Sequence, residues 1–218
     1  MKRSLQTTAD GSHTLVVEAW GEGFHSQHGA IQESLHVFIQ QGLLAKSEKQ
    51  LDILEIGFGT GLNAWLTAIH AAEKQIRYTG VEGYPLNRAE WEALNYGARY
   101  EEGKHKELFT KIHKTEWESW QTLAPNFQLR KVKSMFEDFD FQLECDLIYM
   151  DAFAPQLQPE YWSRSFFEKV ASTMRSGACL VTYSSKGDVR RALVAAGLEV
   201  EKLPGPPGKR EIVRAWKR

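Results

Sequence analysis

Hydrophobic and polar residues alternate along the chain with two different periods. Short apolar runs of the strand type occur in LDILEIG, IRYTGVE, FQLRKVK, CDLIYMD and ACLVTYS. Apolar positions three and four residues apart predict helices over LNAWLTAIHAAEK, PLNRAEWEALNYG, PEYWSRSFFEKVASTM and GDVRRALVAAG. Because strands that alternate with helices form a parallel sheet covered on both faces, the pattern predicts a doubly wound α/β domain.

The two ends of the chain depart from this alternation. HTLVVEA predicts a strand and AIQESLHVFIQQGL a helix before the first α/β unit. We therefore expect residues 1–45 to form an N-terminal extension that packs on the core, and residues 46–218 to form the main domain in one compact unit. LEVEKL and REIVRAW flank PGPPGK without a helix between them, which predicts an antiparallel pair. Residues 99–125 are charged and rich in aromatics, and they predict a helical insertion.

Composition restricts the class of protein. The length of 218 residues fits a single domain, and 42% hydrophobic with 25% charged residues is typical of globular proteins. No apolar run approaches the roughly 20 residues of a membrane crossing. The N-terminus MKRSLQTTADGSHTL lacks the apolar segment of a secretory signal. We expect a cytoplasmic protein without membrane contact.

Cysteine and histidine usage gives no sign of a disulfide or a metal site. Cys145 and Cys179 lie beside apolar runs and predict buried thiols in a reducing compartment. The closest histidine pair, His25 and His28, has no cysteine or carboxylate at zinc-ligand spacing. We expect ordinary polar histidines and no metal.

Charge is divided unevenly along the chain although the net charge is only -1. The segment from Lys186 to Arg218 contains nine Lys and Arg residues against four Asp and Glu residues. This asymmetry indicates a face that can meet phosphates. Solvated helix faces and a charged terminal strand explain it equally well.

A glycine-rich stretch, GFGTGLN, follows the strand LDILEI. Gly57, Gly59 and Gly61 allow the backbone to turn tightly against a ligand, and the next helix offers free N–H groups. The spacing is G-x-G-x-G and not the G-x-G-x-x-G of dinucleotide sites. Glu55 before the glycines suits a cationic amine, and Glu82 at the end of the next strand suits the two hydroxyls of a ribose. These features predict an S-adenosylmethionine site, with NAD and structural strand-end acids as alternatives.

A third acid, Asp151, ends the apolar strand CDLIYM and is followed by Ala-Phe-Ala-Pro. A carboxylate delivered to the ligand edge of the sheet, on a loop fixed by proline, is well placed beside a transferable methyl group. The loop resembles the Asp-Pro-Pro-Tyr loop of methyltransferases that alkylate nitrogen. A strand-end Asp that caps a turn is the structural alternative.

Three segments together resemble one family: EIGFGTGLN, DAFAPQLQPEYW and YSSKGDVRRALVAAG with PGPPGKREIVRAW. The family comprises the methyltransferase half of the bacterial bifunctional wobble-uridine enzyme MnmC and its stand-alone relative MnmD, and the segment ADGSHTLVVEAWGEGFHSQHGAIQESLHVFI is also similar to it. The resemblance implies a Rossmann-like class I S-adenosylmethionine-dependent methyltransferase. Its sheet would have seven strands, mainly parallel, with an antiparallel C-terminal strand.

The resemblance also implies an activity. The aminomethyl nitrogen of 5-aminomethyl(-2-thio)uridine at the tRNA wobble position would be methylated to give 5-methylaminomethyl-2-thiouridine. The sequence has no second glycine fingerprint for the flavin-dependent half of the family, so the enzymes that install the aminomethyl group would supply the substrate. The alternatives are a small-molecule amine methyltransferase, a cofactor-binding module that escorts tRNA without catalysis, and a dehydrogenase.

The roles of individual residues are carried over from the family. The cofactor would be bound by Glu33, Glu55, Gly57, Phe58, Gly59, Thr60, Gly61, Asn63, Glu82, Gly83, Ser134, Met135 and Asp151. Asp151 would also be the catalytic carboxylate, because it can orient an amine and accept its proton. The substrate, an anticodon stem-loop, would be contacted by Phe153, Pro155, Arg190, Arg191, Lys209 and Arg210. Phe153 would stack on or fence the base, or simply pack in the core, and Arg191 would contact phosphate or only pair on its helix.

One position departs from the family pattern. The bifunctional relative has an acid after the strand that corresponds to FQLRKVK, where it holds the adenine amine. Ser134 stands at that position here. Ser134 with the Met135 backbone, or else Glu137 or Asp138 from a shifted turn, would have to replace the acid.

Overall fold

The order of strands and helices is the alternation expected from the hydropathy pattern, preceded by a small N-terminal sheet. The computed structural model describes all 218 residues. Its strands are β1 Arg3–Thr7, β2 His13–Val17, β3 Glu22–Gly23, β4 Gln50–Ile56, β5 Gln75–Glu82, β6 Trp120–Ala124, β7 Phe127–Lys133, β8 Cys145–Met150, β9 Met174–Thr182, β10 Glu199–Pro204 and β11 Glu211–Trp216. Its α-helices are α1 Ala30–Ser34, α2 Leu62–His70, α3 Arg88–Glu92, α4 Tyr96–Arg99, α5 Lys106–Lys114, α6 Arg164–Ser172 and α7 Gly187–Ala195.

The central sheet has eight strands in the order β10-β11-β9-β8-β4-β5-β7-β6. The neighbours β9, β8, β4, β5 and β7 are parallel, and Ile53 at the centre pairs with Tyr78 on one side and Leu147 on the other. β11 is antiparallel to both β9 and β10, which confirms the predicted C-terminal pair. This topology confirms the doubly wound, Rossmann-like architecture.

The eighth strand, β6, corrects the sequence prediction. The pattern predicts a helical insertion over residues 99–125. In the structure the helical part of this segment ends with α5 at Lys114, after the last residue of α4 and a short 3₁₀ turn, Tyr100–Gly103. Trp120–Ala124 instead pairs antiparallel with β7 through a two-residue turn at Pro125 and Asn126. The strand lies at the sheet edge and is mostly half-exposed, so it lacks the continuous apolar run that revealed the inner strands.

Each inner strand sends alternate side chains into two separate cores. Ile53 and Leu147 belong to a cluster with α2 and α5, while Leu54 and Ile148 belong to a cluster with α6 and α7. Helices therefore cover both faces, and the ends of the strands remain open for a site.

The N-terminal segment packs on the first of these cores. β1, β2 and β3 form a separate antiparallel sheet, and α1 continues into a π-helical stretch, Leu35–Gln40. Val37, Phe38 and Ile39 from this stretch are buried in the same cluster as Ile53. The domain boundary at residue 45 stays a prediction.

Helix ends differ from the predicted ones for local reasons. α3 begins after Asn87, whose side chain caps it, and not at Pro85. Met174 belongs to β9 and not to the preceding helix. A helical bilayer crossing needs about 20 apolar residues, and no helix here has that length and hydropathy.

Candidate active site

Three loops meet at the carboxyl edge of the sheet because β5, β4 and β8 are parallel neighbours. They carry Glu82 and Gly83, the glycine loop 57–61, and Asp151. Together they line a cavity of about 680 Å³, which the N-terminal residues 20–28 and the β10–β11 loop complete. The predicted ligand edge is therefore a cavity that is open to solvent at its rim and is built from both ends of the chain.

The glycine loop is fitted so tightly that a side chain would be strained at Gly57, Gly59 and Gly61, which all have a positive φ. Gly57 has φ +97°, and a Cβ there would lie 2.4 Å from the Asp151 carbonyl oxygen. The N–H groups of Gly57 and Phe58 both donate to the Val81 carbonyl, at 3.1 and 2.9 Å. Gly59 also has a positive φ, +50°. The backbone thus forms the floor of the cavity between two strand ends.

Glu82 holds the glycine loop and the loop after β5 together. Its Oε2 accepts from the Gly59 N–H at 2.9 Å, and its Oε1 accepts from the Tyr84 N–H at 2.8 Å. Burial raises the pKa of Glu82, and these hydrogen bonds oppose the rise. Each carboxylate oxygen has two lone pairs, so each keeps one acceptor position for a ligand hydroxyl.

Asn63, in the first turn of α2, lies between two acids. Its Nδ2 donates to Glu55 Oε1 at 2.9 Å and to Asp151 Oδ2 at 2.8 Å. The predicted direct contact of Glu55 with an amine stays a prediction, and Glu55 itself is fully buried and does not line the cavity. The reason is that Glu55 lies inside β4, on the sheet face that α2 covers. Burial and then the Asp151 charge raise the pKa of Glu55 well above its ordinary value.

Asp151 faces the cavity next to a pair of opposite charges. Burial raises its pKa well above the ordinary value and Glu33 adds to the rise, while Asn63 and Lys209 oppose it. Lys209 Nζ donates to Glu33 Oε1 at 2.5 Å and lies 4.2 Å from the centroid of the Tyr183 ring. Asp151 is thus a carboxyl with a raised proton affinity, held at the mouth of the glycine loop.

Comparison with known proteins identifies the chain. A family model described as "S-adenosyl-L-methionine-dependent methyltransferase" matches residues 102–218, more than half of the chain. The chain belongs to this family. S-adenosylmethionine is therefore the cofactor of this methyltransferase, as the glycine spacing predicted.

Curated relatives match the methyltransferase over almost its whole length. It is 33% identical over 231 residues to the tRNA 5-methylaminomethyl-2-thiouridine biosynthesis bifunctional protein MnmC of Aromatoleum aromaticum, with 96% of this chain covered. The MnmC protein of Azoarcus sp. is 31% identical and matches 97% of this chain. The chain spans about a third of the length of these relatives, 34% and 35% respectively.

Solved structures also match the methyltransferase over almost its whole length. The crystal structure of MNMC2 from Aquifex aeolicus superposes with a TM-score of 0.81 at 26% identity, covering 99% of this chain and 70% of that chain. Spermidine synthase from Thermotoga maritima superposes with a TM-score of 0.59 at 12% identity, covering 99% of this chain and 68% of the other. The second likeness shows the fold alone.

The residues around the glycine loop of the methyltransferase fit its cofactor. Asn63 Oδ1 is a buried acceptor on the cavity wall without a hydrogen-bond partner. An unpaired buried acceptor calls for a donor such as the cofactor's ammonium group, and it would repel a phosphate. Asn63 would hold that ammonium at the cavity wall, with Glu55 behind it, and Glu82 would hold the ribose.

At the adenine end, only one of the four alternative residues lies on the cavity wall. Met135 lines the cavity, whereas Ser134, Glu137 and Asp138 do not. The Ser134 hydroxyl donates to the Met135 carbonyl at 2.8 Å, and Glu137 accepts from the Tyr161 hydroxyl. Which of these residues replaces the missing acid at the adenine stays a prediction.

Most of the predicted site residues come together around the cavity of the methyltransferase. Those that line it are Glu33, Gly57, Phe58, Gly59, Thr60, Asn63, Glu82, Gly83, Met135, Asp151, Phe153, Pro155, Lys209 and Arg210. Gly61 has φ +70° at the start of α2 and supports the turn behind the wall. Their roles in binding stay predictions.

The predicted phosphate contacts separate into two groups. Arg190 and Arg191 lie on α7 beside a separate surface groove with Lys202, and Arg191 pairs with Asp188. Lys209 lies inside the cavity, where its ammonium pairs with Glu33, and its contact with a phosphate stays a prediction. Arg210 remains an exposed cation at the cavity rim, and Lys186 joins it there.

In the N-terminal segment, sequence reasoning named Glu33 as a site residue but missed His25. His25 lines the cavity and hydrogen-bonds through its ring to Thr60 Oγ1 at 3.3 Å and to Thr14 Oγ1 at 3.2 Å. Burial lowers the pKa of His25 to about 4, so the ring is neutral at neutral pH. This histidine joins the small sheet to the glycine loop. The resemblance of ADGSHTLVVEAWGEGFHSQHGAIQESLHVFI to the family and the aromatic density of WGEGFH are the signals that point to this segment.

Proposed function

We propose that this methyltransferase methylates the aminomethyl nitrogen of 5-aminomethyl(-2-thio)uridine at the wobble position of tRNA, giving 5-methylaminomethyl-2-thiouridine. The observation that carries the proposal is the position of Asp151, bonded by Asn63 beside the cofactor loop, in a chain whose MnmC relatives match 96% and 97% of it. The exposed cations at the cavity rim, Lys186 and Arg210, support an RNA substrate.

The main obstacle to the reaction is a proton. A primary alkylamine is mostly protonated near neutral pH, as the lysine reference pKa of about 10.4 illustrates. When bound, S-adenosylmethionine supplies an electrophilic methyl group on a positively charged sulfur. Asp151 accepts a proton from the substrate ammonium and frees its lone pair. The freed lone pair would then take the methyl group to form the new N–C bond, and the electron pair of the C–S bond would stay on the cofactor's sulfur.

The environment of Asp151 suits this role. Burial raises its pKa, which makes the carboxylate a stronger proton acceptor than an exposed aspartate. The Asn63 amide fixes one of its oxygens and leaves the other for the substrate amine. A held carboxylate orients the nitrogen toward the cofactor as well as deprotonating it.

The test uses tRNA that carries 5-aminomethyl-2-thiouridine, S-adenosylmethionine, and mass spectrometry of the digested nucleosides. We expect the wild-type chain to add one methyl group at the wobble uridine. Asp151→Asn should lower kcat by about 10²- to 10⁴-fold, the usual contribution of a positioned base. Cofactor binding, measured by calorimetry, should persist in the variant.

Three results would count against the proposal. A wild-type enzyme that leaves this nucleoside unmethylated refutes the substrate. Full activity in Asp151→Asn refutes the proton acceptor. Equal rates on free small amines and on tRNA favour a small-molecule methyltransferase.

A further inference from the structure

Three aromatic rings from distant parts of the chain converge beside Asp151. The Phe153 ring centroid lies 5.1 Å from that of Trp20 and 5.0 Å from that of Phe24, at interplanar angles of 77° and 74°. All three residues line the cavity. The Phe153 ring is nearly perpendicular to the other two rings and does not stack on either of them. The faces of the rings are therefore not covered by each other.

Phe153 is the fixed member of this aromatic wall. Its N–H donates to Gln158 Oε1 at 3.0 Å, and its carbonyl accepts from Trp162 Nε1 at 2.8 Å. Since Phe153 follows Asp151 by two residues, the acid and the ring are set by the same loop. A planar group against this ring therefore lies within reach of the carboxylate.

Trp20 is the exposed member. It belongs to the turn between β2 and β3 and is 37% exposed, which makes it one of seven large hydrophobic residues left at the surface. Unlike Leu5 or Leu44, it lies on the cavity that holds the catalytic carboxylate and two rim cations, Lys186 and Arg210. An exposed indole at a cavity mouth marks a place for an aromatic or apolar ligand.

We propose that Trp20 stacks against the face of the uracil ring of the target nucleotide once that base has left the anticodon loop, while Phe153, whose ring is at 77° to that of Trp20, contacts the edge of the base. The inference rests on the proposed function and adds a substrate-binding role for the N-terminal sheet. It assigns the planar ring to the aromatic wall, the amine to Asp151, and the adjoining phosphates to the rim cations. Proteins read unstacked RNA bases with aromatic side chains in this way.

The test compares Trp20→Leu, which keeps an apolar side chain without a π face, with Trp20→Tyr, which restores one. Trp120→Leu is the matched control, because Trp120 is 39% exposed but lies on the edge strand β6 against Arg77. We expect Trp20→Leu to raise KM for tRNA at least about fivefold, the lower range for loss of one base–aromatic stack. Trp20→Tyr should recover most of the loss, and Trp120→Leu should match the wild type. The Kd for S-adenosylmethionine should be unchanged in all three.

A second measurement needs no methyl transfer. Titration with an unmodified anticodon stem-loop RNA should quench tryptophan fluorescence in the wild type and in Trp120→Leu, and less in Trp20→Leu. Equal quenching in all three chains, or equal KM for Trp20→Leu and the control, overturns the stacking assignment. A weakened cofactor Kd in Trp20→Leu overturns it in favour of a structural role. A wild type that is quenched through Trp20 but does not methylate refutes the proposed function and leaves the stacking assignment intact.

Discussion

Asp151 is a residue whose surroundings pull its proton affinity in opposite directions. Burial and the Glu33 charge favour the neutral acid, while Asn63 and Lys209 favour the carboxylate. The outcome is a raised pKa, so the group is protonated at acid pH values where an exposed aspartate is still ionised. If Asp151 is the proton acceptor that we propose, only its carboxylate form is active, and we expect activity to be lost as pH falls through this raised pKa.

Two charge substitutions should move the acid limb of the pH–rate profile in opposite directions. Lys209→Gln removes a cation that stabilises the carboxylate, so the limb of kcat/KM should shift to higher pH. Glu33→Gln removes a competing negative charge and should shift it to lower pH. The acid limb of kcat/KM for both variants is measured with stopped-time assays at constant ionic strength, from about pH 5 to pH 9 in steps of roughly half a pH unit. Shifts in the same direction, or none, would contradict the assignment of Asp151.

Adding a single Cβ at Gly57 should disturb the backbone that forms the floor of the cavity. Gly57→Ala introduces an atom 2.4 Å from the Asp151 carbonyl and strains a φ of +97°. Gly177→Ala is the control for strain alone, because Gly177 has φ +78° with nothing within 4 Å of a Cβ. We expect the control to lose about 1 kcal/mol of stability and to keep its cofactor affinity. Gly57→Ala should lose more stability and at least about tenfold in cofactor affinity, which corresponds to about 1.4 kcal/mol. If calorimetry gives the same Kd for S-adenosylmethionine in both variants, the close approach of Gly57 to the Asp151 carbonyl does not matter for cofactor binding.

Among the elements, α3 is connected to β1 and to the loop after Glu82 through the carboxylate of Glu90. Glu90 Oε2 accepts from the Asn87 N–H at 2.8 Å, and the Glu90 N–H donates to Asn87 Oδ1 at 3.0 Å. The same carboxylate accepts two bonds from Arg3 Nη1, at 3.2 and 3.0 Å, and Arg3 also donates to the Tyr84 carbonyl. β1, α3 and the loop that follows Glu82 are thus joined at one point.

Removing the Glu90 carboxylate should destabilise β1, α3 and the loop after Glu82 together. Glu90→Ala breaks the capping box and leaves the nearly buried Arg3 guanidinium without its partner. We expect a loss of about 2–3 kcal/mol in the free energy of unfolding, from a cap plus a charged hydrogen bond. Glu92→Ala is the control, since its exposed pair with Arg88 contributes under about 0.5 kcal/mol. Urea titrations that give similar losses for both variants would show that Glu90 makes no such connection.

The elements also show which parts of the fold the sequence could reveal. Strands buried on both faces, such as β4 and β8, are visible as continuous apolar runs. The edge strand β6 and the short strands β1 and β3 have no such run, because one side of each meets solvent. At α3 the sequence contains two competing start signals, Pro85 and the capping box of Asn87 with Glu90, and the hydrogen-bonded cap sets the observed start.

For the whole molecule, the site follows from topology more than from individual side-chain pairs. Parallel strands bring their carboxyl ends to one edge, so the sequence alone predicts that Glu82, Asp151 and the glycine loop meet. The Glu33–Lys209 pair joins residues 176 positions apart, and only the folded chain shows that it closes the cavity. Likewise, Trp20 and Phe153 have no relation in sequence that indicates their proximity.

The charge on the completed surface gives a last prediction about the size of the substrate. Lys186 and Arg210 are exposed at the cavity rim, where the backbone of a bound RNA strand would pass. If they meet phosphates, changing both to Gln should raise KM for tRNA and lower the slope of log KM against log salt by about 0.7 to 1 for each phosphate that is no longer bound. Arg164→Gln, an exposed change on α6 outside the cavity, should leave both quantities at the wild-type value. A small free amine has no phosphates, so an unchanged slope in the double variant would mean that the rim does not bind RNA.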